Sequence, residues 1–275
     1  MASASSVAGL AAGASAAPVA VRASRLSPVA GAEGVPPGAR VVHFIRHAEG
    51  THNKARTEAG TDEEYRNWAW LDARLTDTGE AQAAALGPEL LLEANRVEVV
   101  LVSPLSRAIH TGLLAFPAGD ASPPFEAVED LRERLGSHPC DKRRSKAKLR
   151  ADFPGVNLDG LLTEEDTLWR EERESQHDLA ARAARFLGAL MQRPERRIGV
   201  CTHNDFLVAL MRKSGLRVPR KDRSSLFRNA ERRAYLLQAE AAAGSDPADG
   251  KAARSGDGGD GDAGGSGSHD ASREE

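Results

Sequence analysis

The 275-residue sequence is poor in the features that mark several common protein classes. Two cysteines, Cys140 and Cys201, are too few for a disulfide scaffold and lack zinc-ligand spacing, so both are expected to be reduced thiols. No run approaches about eighteen consecutive apolar residues, which leaves no candidate for a membrane-spanning helix. Charge of one sign is also missing. The balance is 37 basic against 40 acidic residues, a net charge of -3, whereas a nucleic-acid binder carries a strongly basic footprint. The expectation is a chain with neither a nucleic-acid nor a membrane partner, long enough to bury a sizeable core.

The near-zero charge is a sum over three unlike segments. Residues 1–32 are rich in Ala and Ser, carry only Arg22 and Arg25 and hold no acidic residue. The arginines come too late for a secretory signal; the segment resembles an organelle transit peptide, more plastid than mitochondrial, and is expected to be disordered. That would place the protein in the chloroplast. The alternatives are an Ala/Ser extension without an address and a cytoplasmic location. Residues 241–275 are Gly- and Asp-rich without Leu, Ile, Val or Phe, and read as a disordered acidic tail. The remaining body, 33–240, is charge-balanced and is expected to form one domain.

Within that body, Val41–Ile45, Val97–Val102 and Ile198–Thr202 are short β-branched runs suited to strands buried on both faces of a mainly parallel sheet. Arg233–Gln238 is a further strand candidate. Thr78–Glu93 reads as a helix capped by Thr76 or Asp77, and Asp178–Gln192 as another that stops before Pro194. Strands alternating with helices predict an α/β fold with helices on both faces of the sheet. The stretch 117–170 is irregular and reads as an insertion over one end of the sheet.

Ligands of open α/β sheets bind beyond the carboxyl ends of the strands. The residues that follow the three strands are Arg46-His47, Ser103-Pro104-Leu105-Ser106-Arg107 and His203. Two histidines and two arginines thus converge on one edge. Arginine forks match phosphate oxygens, and a neutral imidazole is a competent nucleophile toward phosphorus. The set reads as a phosphoryl-transfer pocket that needs no metal and no cofactor. His43 and His47 stand four apart, but on a strand they lie about 13 Å from each other, too far to share a metal. His43 reads as a packed strand residue.

The stretch Arg46-His47-Ala48-Glu49-Gly50-Thr51-His52-Asn53 resembles the "RHG" signature of the histidine phosphatase superfamily, with Ala48 in place of its glycine. Ser103–Ala108 with Thr111, Thr202-His203, Leu75-Thr76-x-x-Gly79-x-x-Gln82-Ala83, and Leu131-Arg132-Glu133 with Gly136 resemble four further family segments in family order. The chain is most similar to the plant and fungal phosphoglycerate mutase-like branch. The resemblance implies an α/β three-layer sandwich and a phosphoric monoester hydrolase of the histidine acid phosphatase type. Its implied catalytic set is His47 as nucleophile, Arg46, Arg107 and His203 on the phosphoryl oxygens, and Glu133 as proton donor and then base. Asn53 would add a neutral donor to the phosphate.

For Glu133 a solvated position among Glu129, Asp130 and Arg134 is the competing reading. The basic run 142–150 suggests that Arg143 and Arg144 bind an anionic part of the substrate, against the plainer alternative of a solvated surface. Asn204-Asp205, where the family has small residues, places a carboxylate beside the phosphate site. The expected substrate is a small phosphorylated metabolite. Three functions remain open: a phosphatase, a mutase that returns the phosphoryl group to a second hydroxyl, and a silent phosphate-binding module.

Overall fold

The computed structural model describes residues 20–26, 35–92, 96–116 and 122–240. The acidic tail and most of the leader lie outside the described residues. Among the described residues, eight strands form one sheet in the order β5-β4-β3-β6-β2-β8-β1-β7. They are β1 (Val21–Arg25), β2 (Ala39–Arg46), β3 (Val99–Val102), β4 (Phe125–Ala127), β5 (Val156–Asn157), β6 (Arg197–Thr202), β7 (Leu216–Arg217) and β8 (Arg232–Ala239). Only β8 runs antiparallel to its neighbours, β1 and β2. The expected α/β architecture with a mainly parallel sheet is therefore present.

Alternation along the central strands explains the layers, because successive side chains point to opposite faces. Val42, Phe44, Val99, Leu101, Ile198 and Val200 face one core, closed by α6 (Gln176–Gln192) and α7 (Asn204–Lys213). Ile45, Val100, Val102 and Cys201 face the other, closed by α4 (Ser106–Ala115) and α5 (Lys146–Asp152). Helix α6 starts where Ser175 Oγ accepts the Asp178 N–H at 3.0 Å. His43 is a packed strand residue, 1 % exposed; burial, with Arg232 and Arg197 nearby, pushes its pKa down to about 3. Both cysteines are free and buried.

Three expectations are corrected. Residues 20–26 fall inside the leader expected to be disordered, yet β1 pairs with β8 from Val21↔Ala239 to Arg25↔Tyr235. Its Val21 and Ala23 are buried while Arg22 and Ser24 point outward, and Arg25 forms an ion pair with the buried Asp222 at 2.5 Å. The strand exists because β8 and β7 offer it partners far away in sequence. The helix expected over 78–93 breaks into α2 (Asp77–Ala84) and α3 (Gly87–Leu90), because Pro88 has no N–H to give and its ring would meet the carbonyl four residues back. The stretch 117–170 is more than an insertion: β4 and β5 extend the sheet edge in parallel, and Leu149, Phe153 and Val156 complete the second core.

The same register sets up the site. Strands β3, β6 and β2 are adjacent and parallel, with Arg46 opposite Thr202 and Val102 opposite Cys201. Their carboxyl ends therefore deliver His47, His203 and Ser103 side by side.

Candidate active site

His47 follows directly on β2, and its N–H donates to the Thr202 carbonyl at 2.8 Å. The turn after it, which leads into α1 (Thr51–Ala59), is held from two sides. Ala48 N–H donates to Thr111 Oγ1 at 3.0 Å, and Glu49 N–H to Gln82 Oε1 at 3.0 Å. Thr76 caps α2 through its Oγ1 and also donates to Glu49 Oε1 at 2.6 Å. A side chain at position 79 would place its Cβ 2.1 Å from the Glu49 carbonyl oxygen, so glycine is required where α2 meets this loop. The Leu75–Ala83 segment and Thr111 are thus the supports of the histidine turn.

The ring of His47 is held by one contact at each nitrogen. Its Nδ1 lies 2.7 Å from the Ala48 carbonyl oxygen, which can only accept, so Nδ1 carries the proton and Nε2 the lone pair. Arg107 Nε points at that Nε2 from 3.4 Å. Burial, together with Arg107, Arg46 and His52, holds the imidazole pKa well below its ordinary value. His47 is therefore neutral, with the free nitrogen a nucleophile requires. The His203 ring stands 5.0 Å from the His47 ring, with Nε2 2.8 Å from Ser103 Oγ.

A cavity of about 170 Å³ opens beside these rings. Arg46, Arg107, Asn53 and Glu133 line it with His47, so the structure brings together most of the residues read from the sequence. His203 joins them through its ring contact with His47. Several donors and acceptors at the site have no partner: Arg46 Nε, His52 Nδ1, His203 Nδ1 and Asn204 Oδ1 are buried and unbonded. Buried polar atoms are normally satisfied, and of these residues Arg46, His52 and Asn204 line the cavity. The first residues of α7, Asn204 and Asp205, also line the cavity, and the Asp205 N–H is given to Glu133.

Glu133 is held by its neighbours' backbone. Its Oε1 accepts from Arg134 N–H at 2.9 Å and from Asp205 N–H at 3.0 Å. Those bonds favour the carboxylate, but burial and then the charges of Asp205 and Asp141 outweigh them and push its pKa up to about 7. Glu133 is thus not a solvated helix residue, and it can hold or release a proton near neutrality. Asp205, the unexpected carboxylate, both positions Glu133 and raises its proton affinity.

Arg143 and Arg144 do not reach the cavity. Arg143 is 2 % exposed and gives its guanidinium to Glu129 and to the carbonyls of Thr163, Glu164 and Glu165. Arg144 bonds Asp72 at 2.8 Å and Ser106 Oγ at 2.8 Å and pairs with Asp152. They bind parts of the protein, not an anionic ligand. Conversely, His52, Tyr65, His138, Asp141 and Arg173 line the cavity without having been singled out. Two signals were legible: His52 stands inside the histidine motif, and Asp141 is the one acidic residue at the head of a basic run.

A model of the histidine phosphatase superfamily (branch 1) matches residues 42–233. The chain belongs to this superfamily. It is 32 % identical over 245 residues to a phosphoglycerate mutase-like protein of Arabidopsis thaliana, covering 76 % of this chain and 89 % of that protein. It is 31 % identical to phosphoglycerate mutase-like protein 1 of the same plant, covering 75 % and 84 %. A solved mycobacterial glucosyl-3-phosphoglycerate phosphatase superposes with a TM-score of 0.43 at 22 % identity, covering 70 % of this chain and 88 % of that one. A probable phosphatase of Schizosaccharomyces pombe is 25 % identical over 171 residues, covering 60 % of this chain and 74 % of that protein, so the curated relatives carry both phosphatase and mutase-like names.

Proposed function

We propose that the protein hydrolyses a small phosphomonoester of an otherwise uncharged alcohol through a phosphohistidine on His47. The observation that carries this reading is the charge balance of the cavity. Its lining holds three cations, Arg46, Arg107 and Arg173, against Glu133, Asp141 and Asp205. A phosphate dianion on His47 draws on Arg46 and Arg107, the two arginines whose charges act on its ring, while Arg107 and Arg173 share the carboxylate of Asp141 at 2.7 and 2.9 Å. With three carboxylates set against three arginines, the lining keeps little positive charge for a second anionic group. A mutase must retain an acid such as phosphoglycerate after giving up its phosphoryl group, and this lining offers little to retain it.

In the first step His47 Nε2 attacks phosphorus, the bond from phosphorus to the ester oxygen breaks, and Glu133 gives its proton to the departing alkoxide. Arg46, Arg107 and His203 hold the phosphoryl oxygens as charge shifts among them, with Asn53 as a neutral donor; such preorganised donors are the largest part of most rate enhancements. In the second step water attacks phosphorus, the Glu133 carboxylate takes its proton, and the bond from phosphorus to Nε2 breaks. Inorganic phosphate leaves and Glu133 is again protonated. No metal is required, because protein cations bear the charge. A Glu133 pKa of about 7 gives an acid-to-neutral activity range.

The family names of the relatives favour the mutase as the second reading. Incubation with 3-phosphoglycerate, with and without a bisphosphate primer, separates the two. Release of inorganic phosphate, with an acid-labile phosphoprotein that disappears in His47→Ala, is the expected result. Formation of 2-phosphoglycerate as the main product would overturn the hydrolytic reading, and absence of any phosphoprotein across a panel of esters would favour a silent binding module.

A further inference from the structure

Asp141 has no part in the chemistry written above, yet it is fixed against the centre of it. It ends the short turn Pro139–Asp141 and is 3 % exposed. The turn is itself held in place: the Asp141 N–H donates to the His138 carbonyl at 2.9 Å and its carbonyl accepts from Arg132 Nη2 at 2.8 Å. From this position Asp141 Oδ1 accepts from Arg107 Nη2 at 2.7 Å, and the preceding Cys140 carbonyl accepts from Arg107 Nη1 at 2.5 Å. Asp141 Oδ2 accepts from Arg173 Nη1 at 2.9 Å, which stops the carboxylate from turning. Burial works against its charge, but His138, Arg107 and Arg173 hold the carboxyl well below the usual carboxylate range.

A guanidinium is planar and rigid. Bonding it at Nη1 and Nη2 therefore fixes the direction of its third nitrogen, and Arg107 Nε is aimed at His47 Nε2. We propose that Asp141 is a positioning residue for phosphoryl transfer: with the Cys140 carbonyl it locks the plane of Arg107 against the nucleophilic nitrogen of His47. This rests on the phosphohistidine reading above.

The sign of the charge is what makes the role testable. A carboxylate in an anion pocket weakens the ground-state binding of phosphate. It is useful only where it improves the transition state more than it costs the ground state. Removing it should thus lower kcat while leaving phosphate affinity intact or improved. A purely structural role would damage both together.

The test compares Asp141→Ala with Asp141→Asn. The asparagine keeps an acceptor oxygen for Arg107 and drops the charge. In Asp141→Ala, kcat is expected to fall about 100-fold, the scale of a misplaced catalytic group, with partial recovery in Asp141→Asn. The Kd for inorganic phosphate, measured by calorimetry on the same full-length proteins, is expected to be unchanged or tighter in both. A kcat within a few-fold of wild type in Asp141→Ala would overturn the proposal, as would a parallel loss of kcat and phosphate affinity. If the alanine variant fails to fold, Asp141→Glu replaces it: the charge stays, the extra methylene displaces the guanidinium, and kcat should drop with phosphate affinity retained. Should the wild type isomerise rather than hydrolyse, the hydrolytic reading falls, and the same comparison of kcat with Kd on that reaction still decides the role of Asp141.

Discussion

Arg107 and Arg143 are buried to nearly the same degree, 1 % and 2 % exposed, and lie in regions of opposite character. Around Arg143 every N–H of the guanidinium has an acceptor: Glu129 for Nε, and the carbonyls of Arg144, Thr163, Glu164 and Glu165 with Thr163 Oγ1 for the rest. Around Arg107 the pocket keeps open nitrogens on Arg46, His52 and His203, imidazoles forced neutral and a carboxyl forced toward protonation. A satisfied arginine builds a loop. An arginine among unsatisfied groups binds something that is not yet there. The distinguishing quantity is the state of the neighbours, since charge and burial are the same.

Breaking the pocket side should give the largest effect. Arg107→Met removes a cation that contacts the nucleophile, and losing one preorganised donor of this kind costs about 100- to 1,000-fold in kcat. Steady-state phosphate release measures it, with thermal unfolding showing that the protein remains folded. A decrease of only a few-fold would place Arg107 with Arg143 as a scaffold residue.

Breaking the loop side should act on stability alone. Arg143→Met takes from Glu129 one of its two arginine partners and leaves four carbonyls without their donor, and stranding partly buried acceptors in this way costs about 1–3 kcal/mol. Urea unfolding should register that loss, while kcat and KM of the folded protein stay at wild-type values. A raised KM at unchanged stability would restore the sequence reading, in which Arg143 binds substrate.

That contrast also marks how far the sequence carries. Strands β2, β3 and β6 are legible because their apolar runs are local, and the residues just beyond them form the site because parallel strands end together. Glu133 is legible through family resemblance, but its raised pKa depends on burial and then on Asp205 and Asp141, brought in by other elements. Strand β1 is invisible in an Ala/Ser-rich leader because its reason for existing is the unpaired edge of β8. Strands β4 and β5, three and two residues long, are too short to show a period. Arg143 misleads for a related reason: it is satisfied mainly by backbone carbonyls some twenty residues away, and carbonyls leave no trace in a sequence.

The smallest effect sharpens the comparison from the opposite direction, because a strained pocket should become more stable when one of its charges is removed. Glu133 has an ordinary pKa of 4.5 and a folded value of about 7. Between those values the folded protein binds more protons than the unfolded chain, so stability falls as pH rises through this window and the loss is complete above about 7. Glu133→Gln cannot ionise and escapes it. Solvent reaches the carboxyl through the cavity, so the gain for the variant at pH 8 is set at roughly 1–2 kcal/mol, below the full value of the shift. At pH 4, where both states of the wild type are protonated, the gain should vanish. The same substitution should remove most turnover, together with the decline of wild-type kcat/KM as pH rises past about 7, since that decline reports loss of the proton donor. Urea titrations of both proteins at pH 4 and pH 8 decide the matter. An equal stability difference at the two pH values would mean that Glu133 carries no strain, and that the pocket is as satisfied as the loop beside it.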